Sequence, residues 1–145
     1  MAAKEPDFTI GIEEEYLLVD SNTGDIADDP PQQILDDCET AIDPSVGSVT
    51  PEFLRAQVEV GTAVCRSIRE VREKLAQLRM AVADAAARHG LAPVAASTHP
   101  SAAWTTQHHT DKERYNILAE DMQEVARRLV ICGMHVHVGI DDDDL

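Results

Sequence analysis

From Phe8 to Val19 the chain reads Phe-Thr-Ile-Gly-Ile-Glu-Glu-Glu-Tyr-Leu-Leu-Val, dense in β-formers and closed by the turn-rich Asp20-Ser-Asn-Thr-Gly24. This predicts a strand whose even positions, Ile10, Ile12, Glu14, Tyr16 and Leu18, face the core, with Gly11, Glu13 and Glu15 on the opposite side. Glu14 is the one misfit in that alternation. Residues 20–50 form an acidic, loop-rich insertion carrying Pro30, Pro31, Pro44 and Gly47, with room for one short helix around Gln32 to Glu39. A second strand follows over about Arg55 to Thr62, with Gln57 and Glu59 on one face and Ala56, Val58 and Val60 on the other. Between Ser67 and His89 the apolar positions Ile68, Val71, Leu75, Leu78, Val82 and Ala85 are spaced by threes and fours, the stripe of an amphipathic helix that Gly90 stops. Leu91 to Ser97 reads as a third, buried strand ending at Thr98-His99-Pro100. Thr110-Asp-Lys-Glu113 is a capping-box pattern, and the helix it announces continues through Tyr115, Leu118, Met122, Val125 and Leu129. The last strand, about Val130 to Ile140, presents Val130, Cys132, Met134, Val136, Val138 and Ile140 as one apolar face and Gly133, His135, His137 and Gly139 as the other.

Strands that alternate polar with apolar residues point to an α+β domain with a mostly antiparallel sheet, helices packed on one face and the other face open. The whole stretch, 1–145, is one domain's worth of chain. Aromatics are only 3%, so its core is aliphatic. A formal net charge of −15 repels phosphate backbones, and the densest basic stretch, Arg66 to Arg79, is interrupted by Glu70 and Glu73, so nucleic acid is excluded as a partner. No apolar run approaches the ~18 residues of a membrane span, and the first residues lack the apolar segment of a secretory leader. Three widely spaced cysteines, Cys38, Cys65 and Cys132, fit reduced thiols in a cytoplasmic protein.

The chemistry lies on the polar strand faces. Glu13 with Glu15, Gln57 with Glu59, and His135 with His137 are pairs two residues apart, about 6.6 Å from each other on one side of a strand. If the three strands are neighbours, the pairs converge on one patch. Carboxylates outnumber imidazoles there, which suits Mg²⁺ or Mn²⁺ better than zinc. Gly11, Gly133 and Gly139 leave space beside it for a bulky ligand such as a nucleotide polyphosphate.

Four separated segments carry a resemblance. Thr9-Ile-Gly-Ile-Glu-Glu-Glu-Tyr16, Glu52-Phe-Leu-Arg-Ala-Gln-Val-Glu59, Thr98-His-Pro100 and Ile131-Cys-Gly-Met-His-Val-His-Val-Gly139 resemble, in order, the N-terminal portion of the carboxylate-amine ligase branch of the glutamate-cysteine ligase family. The Gly-Met-His-Val-His segment and Gly11-Ile-Glu-x-Glu are also similar to glutamine synthetases, so a glutamine-synthetase-like catalytic fold is implied. The resemblance implies ATP-dependent amide formation between a glutamate-like carboxylate and a cysteine-like amine through an acyl phosphate, with Mg²⁺ or Mn²⁺. Carried over residue by residue, it makes Glu13, Glu15, Glu52 and Glu59 metal ligands and His135 a metal or phosphate ligand; with His135, the neighbouring His137 and Gln57 on the strand faces and Arg114 after the helix cap are the candidate contacts to ATP or substrate. Glu52 falls outside the alternation of the second strand, and its assignment rests on the resemblance alone.

Family members continue well beyond the His-Val-His strand, so the expectation for these residues alone is a partial site with weak cation binding and little ligase activity. A sheet interrupted there leaves an unpaired edge open to self-association. The competing reading is a non-catalytic small-molecule or protein interaction domain derived from the same fold. A zinc hydrolase built on His135 and His137 is disfavoured, because nothing like His-Glu-x-x-His occurs. Other candidates carry less: His99 reads as a loop histidine, Arg114 as a partner for Glu113 or Glu120, His108 and His109 carry no clear signal, and Asp141 to Asp144 read as a solvated acidic run.

Overall fold

The computed structural model describes residues 8–122 and 130–140. Its elements are β1 (Thr9–Asp20), α1 (Gln33–Ala41), β2 (Gly47–Pro51), β3 (Gln57–Thr62), α2 (Ile68–Ala87), β4 (Leu91–Val94), a 3₁₀ turn (Trp104–Thr106), α3 (Glu113–Met122) and β5 (Met134–Gly139). All five strands join one antiparallel sheet in the order β2-β3-β1, with β4 and β5 end to end along the far side of β1. β1 can serve both because it is 12 residues long: Leu17 to Asp20 pair with β4, and Thr9 to Glu14 pair with β5. This is the α+β, antiparallel architecture that the alternation of polar and apolar positions predicts.

On one face of the sheet, Ile12, Tyr16 and Leu18 of β1 and Val58 and Val60 of β3 pack against Val71, Leu75, Leu78, Val82 and Ala85 of α2 and Ile34 and Cys38 of α1. Each buried branched side chain of this size contributes about 1.5–3 kcal/mol relative to leaving it in water. The side chain of Ser67 caps α2 by accepting the Glu70 N–H at 3.2 Å. Beyond its C-terminus Gly90 takes φ +70°, the left-handed conformation that closes such a helix. Ile68, expected in the buried stripe, is 70% exposed as the first residue of the helix. Glu14 does lie on the apolar face, buried, and both Arg79 of α2 and the Tyr16 hydroxyl hydrogen-bond to its carboxylate.

The opposite face is open over only half its length. Toward Asp20 it is covered by a smaller cluster in which Leu17 packs with Phe53, Leu54, Tyr115, Val130 and Cys132. Four further expectations are corrected. The segment before Pro51, read as loop, contains β2, an edge strand too short and too rich in Gly, Ser and Pro to show a period. The third strand is shorter than expected and half-buried. Thr110 does not cap α3: among the described residues no helix N–H donates to its hydroxyl, which itself donates to the carbonyl of Glu52. The apolar face of the last strand is not continuous. Val130 and Cys132 are buried in the smaller cluster, whereas Met134, Val136, Val138 and Ile140 are 52–60% exposed, because α2 covers the other strands and not β5. Val125, Leu129 and Asp141 to Asp144 lie outside the described residues. Among the described residues no helix is long and apolar enough to cross a membrane.

Candidate functional site

The register of the sheet decides which polar pairs meet. Glu15 of β1 stands opposite Glu59 of β3, which stands opposite Thr50 of β2, so these three form one row on the open face. The adjacent row runs from Gly61 through Glu13 to His135 of β5, and beyond it Gly11 faces His137. Chain entry from β2 brings Glu52 to the same place, although it belongs to no strand. A cavity of about 540 Å³ is lined by Glu13, Glu15, Glu52, Glu59, Arg114, Tyr115, Leu118 and His135. The structure thus brings together four carboxylates and one imidazole contributed by three strands and a loop.

Each carboxylate is turned to a protein partner. Glu13 Oε2 lies 2.8 Å from His137 Nε2 and 3.5 Å from His135 Nδ1. The hydrogen bond with His137 holds the Glu13 carboxyl below the ordinary range, outweighing the opposing effect of burial. Glu15 accepts the Gly133 N–H at 2.9 Å, while its own N–H donates to the Gly133 carbonyl at 3.1 Å. Glu59 accepts from the Thr50 hydroxyl at 3.2 Å. Burial pushes its carboxyl above the ordinary range, and repulsion from Glu52, Glu13 and Glu15 adds to that. In this arrangement no three Asp, Glu, His or Cys side chains among the described residues close around a single point. The donor set nevertheless has the composition of a hard-cation site, rich in carboxylate oxygen and concentrated on one cavity wall.

The remaining expected residues separate into two groups. His137 is on the site face, bonded to Glu13, but does not line the cavity. Arg114 does line it, stacked on the Tyr115 ring at 4.4 Å with its guanidinium hydrogen-bonded to the Tyr115 hydroxyl, and it makes no pair with Glu113 or Glu120. Gln57 is placed differently from the other candidates. It shares the face of Glu59 but is buried, with its carbonyl accepting the Leu54 N–H at 3.2 Å and its amide donating to the Ile131 carbonyl at 2.7 Å. Both ends of the side chain hold loops, and it lines a neighbouring cavity with Glu15, Glu52 and Tyr115. His99 is a loop histidine whose Nε2 lies 2.8 Å from the Gly24 carbonyl. Tyr115 and Leu118 lie on the stripe that the sequence predicts for this helix. Both pack in the smaller cluster on the polar side of the sheet, and there they also line the cavity. The one local signal for this was an arginine immediately before the tyrosine.

Comparison with known proteins bears on the family and the fold. The family described as glutamate-cysteine ligase family 2 matches residues 9–144. A relative from Rhodospirillum rubrum, provisionally named glutamate–cysteine ligase 2, is 59% identical over 143 residues, covering 98% of this chain and 37% of that protein. A protein of the same provisional name from Paracoccus denitrificans is 49% identical over 142 residues, again 98% of this chain and 37% of the relative. The chain therefore spans little more than a third of the length of these relatives. Among solved structures, glutamate–cysteine ligase from Francisella tularensis in complex with AMP superposes with a TM-score of 0.73 at 20% identity, over 95% of this chain and 28% of that one. At that identity the likeness is one of fold.

Proposed function

The chain belongs to glutamate-cysteine ligase family 2, and we propose that its acidic sheet face is the cation-holding part of an ATP-dependent carboxylate-amine ligase. The observation that carries this reading is the convergence of Glu13, Glu15, Glu52, Glu59 and His135 on one cavity. These five would hold Mg²⁺ or Mn²⁺, with each carboxylate turning from its present protein partner toward the ion. The cation, when bound, offsets the charge of a polyphosphate and of the transferring phosphoryl group. His135 and His137 stand on β5 beside Gly11, where they would face the phosphates. Arg114, the one guanidinium lining the cavity, would bind an anionic substrate group, and Tyr115 and Leu118 screen that side from water. AMP in complex with the structurally similar ligase supports a nucleotide as one ligand.

The reaction that fits is attack of a glutamate-like carboxylate oxygen on the γ-phosphorus of ATP, releasing ADP and leaving an acyl phosphate. A cysteine-like amine then attacks the acyl carbon, inorganic phosphate departs, and the amine loses a proton to give the amide. The test is calorimetric titration of the chain with Mg²⁺ and Mn²⁺, with and without a non-hydrolysable ATP analogue, on wild type and a Glu13→Ala, Glu59→Ala double variant. Wild type should bind both cations more tightly with the analogue present. The variant should lose at least the ~10- to 100-fold typical of removing even an outer-shell partner. Equal cation binding by both proteins removes the acidic face as the site. Analogue binding that ignores divalent cations favours a docking surface over a ligase.

A further inference from the structure

Thr110 occupies the position where the sequence pattern sets a helix cap, yet its hydroxyl is used elsewhere. Thr110 Oγ1 donates to the carbonyl of Glu52 at 2.6 Å. Its backbone N–H donates to the Phe53 carbonyl at 2.8 Å, and the Arg55 N–H donates to the His108 carbonyl at 2.9 Å. Leu54 and His109 form an antiparallel bridge between them. Residues 108–110 are therefore a short strap laid against residues 53–55. The strap is itself anchored: the His109 ring stacks on Phe53 with centroids 6.2 Å apart, and His109 Nε2 lies 2.9 Å from Asn116 Oδ1 at the start of α3.

Glu52 is the one carboxylate of the cavity that no strand holds. Glu13, Glu15 and Glu59 are aimed by ladder pairing on both sides or by a central strand, whereas Glu52 sits in the gap between β2 and β3. Its side chain is contacted by the Tyr115 hydroxyl at 3.4 Å from Oε2, and its backbone is tied by Thr110. A ligand group misplaced by about 1 Å can lose most of its effect, so whatever fixes that backbone governs the carboxylate. We propose that Thr110 is a positioning residue which, through the Glu52 carbonyl, sets the Glu52 carboxylate over the cavity. The inference rests on reading the acidic face as a cation site.

Thr110→Val keeps the shape and the backbone N–H and removes only the hydroxyl; Thr110→Ser restores it. The experiment is titration with Mn²⁺ alone of wild type, Thr110→Val, Thr110→Ser, Glu52→Gln and the Thr110→Val, Glu52→Gln double variant, with amide hydrogen exchange of Phe53 to Arg55 followed in the metal-free proteins. Thr110→Val should weaken Mn²⁺ by about 10-fold, the lower end of outer-shell effects. Thr110→Ser should recover wild-type affinity, and Thr110→Val should cost nothing further once Glu52 is glutamine. Exchange at 53–55 should quicken in the valine variant and not in the serine one. Wild-type Mn²⁺ binding that Thr110→Val leaves unchanged, or a loss that is equal with and without the Glu52 carboxylate, overturns the positioning role alone. Absence of Mn²⁺ binding in wild type overturns the cation reading and this role with it.

Discussion

At Glu14 the alternation of β1 delivers a carboxylate to the helix side of the sheet, where an unpaired ion would be costly. Arg79 and the Tyr16 hydroxyl meet it there, and the Arg79 hydrogen bonds, more than any other influence, hold its carboxyl below the usual range. The sign follows from that depression. Because the folded value lies under the ordinary 4.5, the pair stabilises fully above about that pH and its contribution is lost as pH falls through the folded value. Arg79 is 55% exposed, which moderates the strength of the pair. Glu14→Gln should therefore cost about 1–3 kcal/mol in urea unfolding at pH 7 and progressively less toward pH 3. A cost that does not shrink on acidification would mean that shape, not charge, matters there. The sequence shows Glu14 as a misfit but not its answer, since Arg79 is 65 residues away and only the packing of α2 on β1 brings them together. Gln57 is the reverse case: its polarity is visible, whereas the Leu54 N–H and Ile131 carbonyl that absorb it are supplied by loops without a period.

Elements with a strong period were legible. The stripe of α2, its Ser67 cap and its Gly90 stop, and the alternation of β1 and β3, all correspond to what forms. Elements whose identity depends on neighbours were not. β2 exists because β3 offers it an edge, and it passes so close that a Cβ at Gly47 would stand 2.1 Å from the Gly61 carbonyl. Gly24, in contrast, sits at φ +76° with nothing within 4 Å of such a Cβ. Gly47→Ala should therefore push β2 off the ladder and cost about 1–3 kcal/mol, whereas Gly24→Ala carries only the left-handed penalty of about 1–2 kcal/mol. Thermal melts of the two variants rank them, and a larger loss at Gly24 would contradict the close approach. The capping box expected at Thr110 does not form for a related reason: a cap hydroxyl must be aimed at a helix N–H, whereas this one is aimed at the Glu52 carbonyl, brought close by the chain crossing at 53–55.

For the molecule as a whole, the decisive quantity is negative charge, −15 in total, with four carboxylates facing one cavity. Ionising Glu59 in that setting costs stability as pH rises through the ordinary 4.5, because burial and neighbouring carboxylates raise its folded value. Glu59→Gln should consequently melt higher than wild type at pH 7 without divalent ions, the trade expected of a functional residue. Millimolar Mn²⁺ should raise the melting temperature of wild type more than that of the variant. A variant less stable than wild type in the absence of divalent ions would show that the carboxylates are not in conflict. That the two members of each polar pair share a side of their strand is readable from their spacing, whereas the meeting of the pairs on one face follows from the pairing of β1 with β3 and β5. That Glu52 joins them was readable only from the family resemblance, because its position depends on the chain crossing and not on alternation.

The placement of β5 also bears on how the two halves of the candidate site are held. Among the described residues β5 begins at Met134 and pairs with β1 alone, and its six residues are exposed. β1 and β3, in contrast, pair with each other and pack against α2. Local opening draws on regions with few buried contacts, so amide protection at residues 134–139 should be lower than at Glu13 to Leu17. The imidazoles of the site thus hang on a single ladder, whereas the carboxylates of β1 and β3 stand on a packed core.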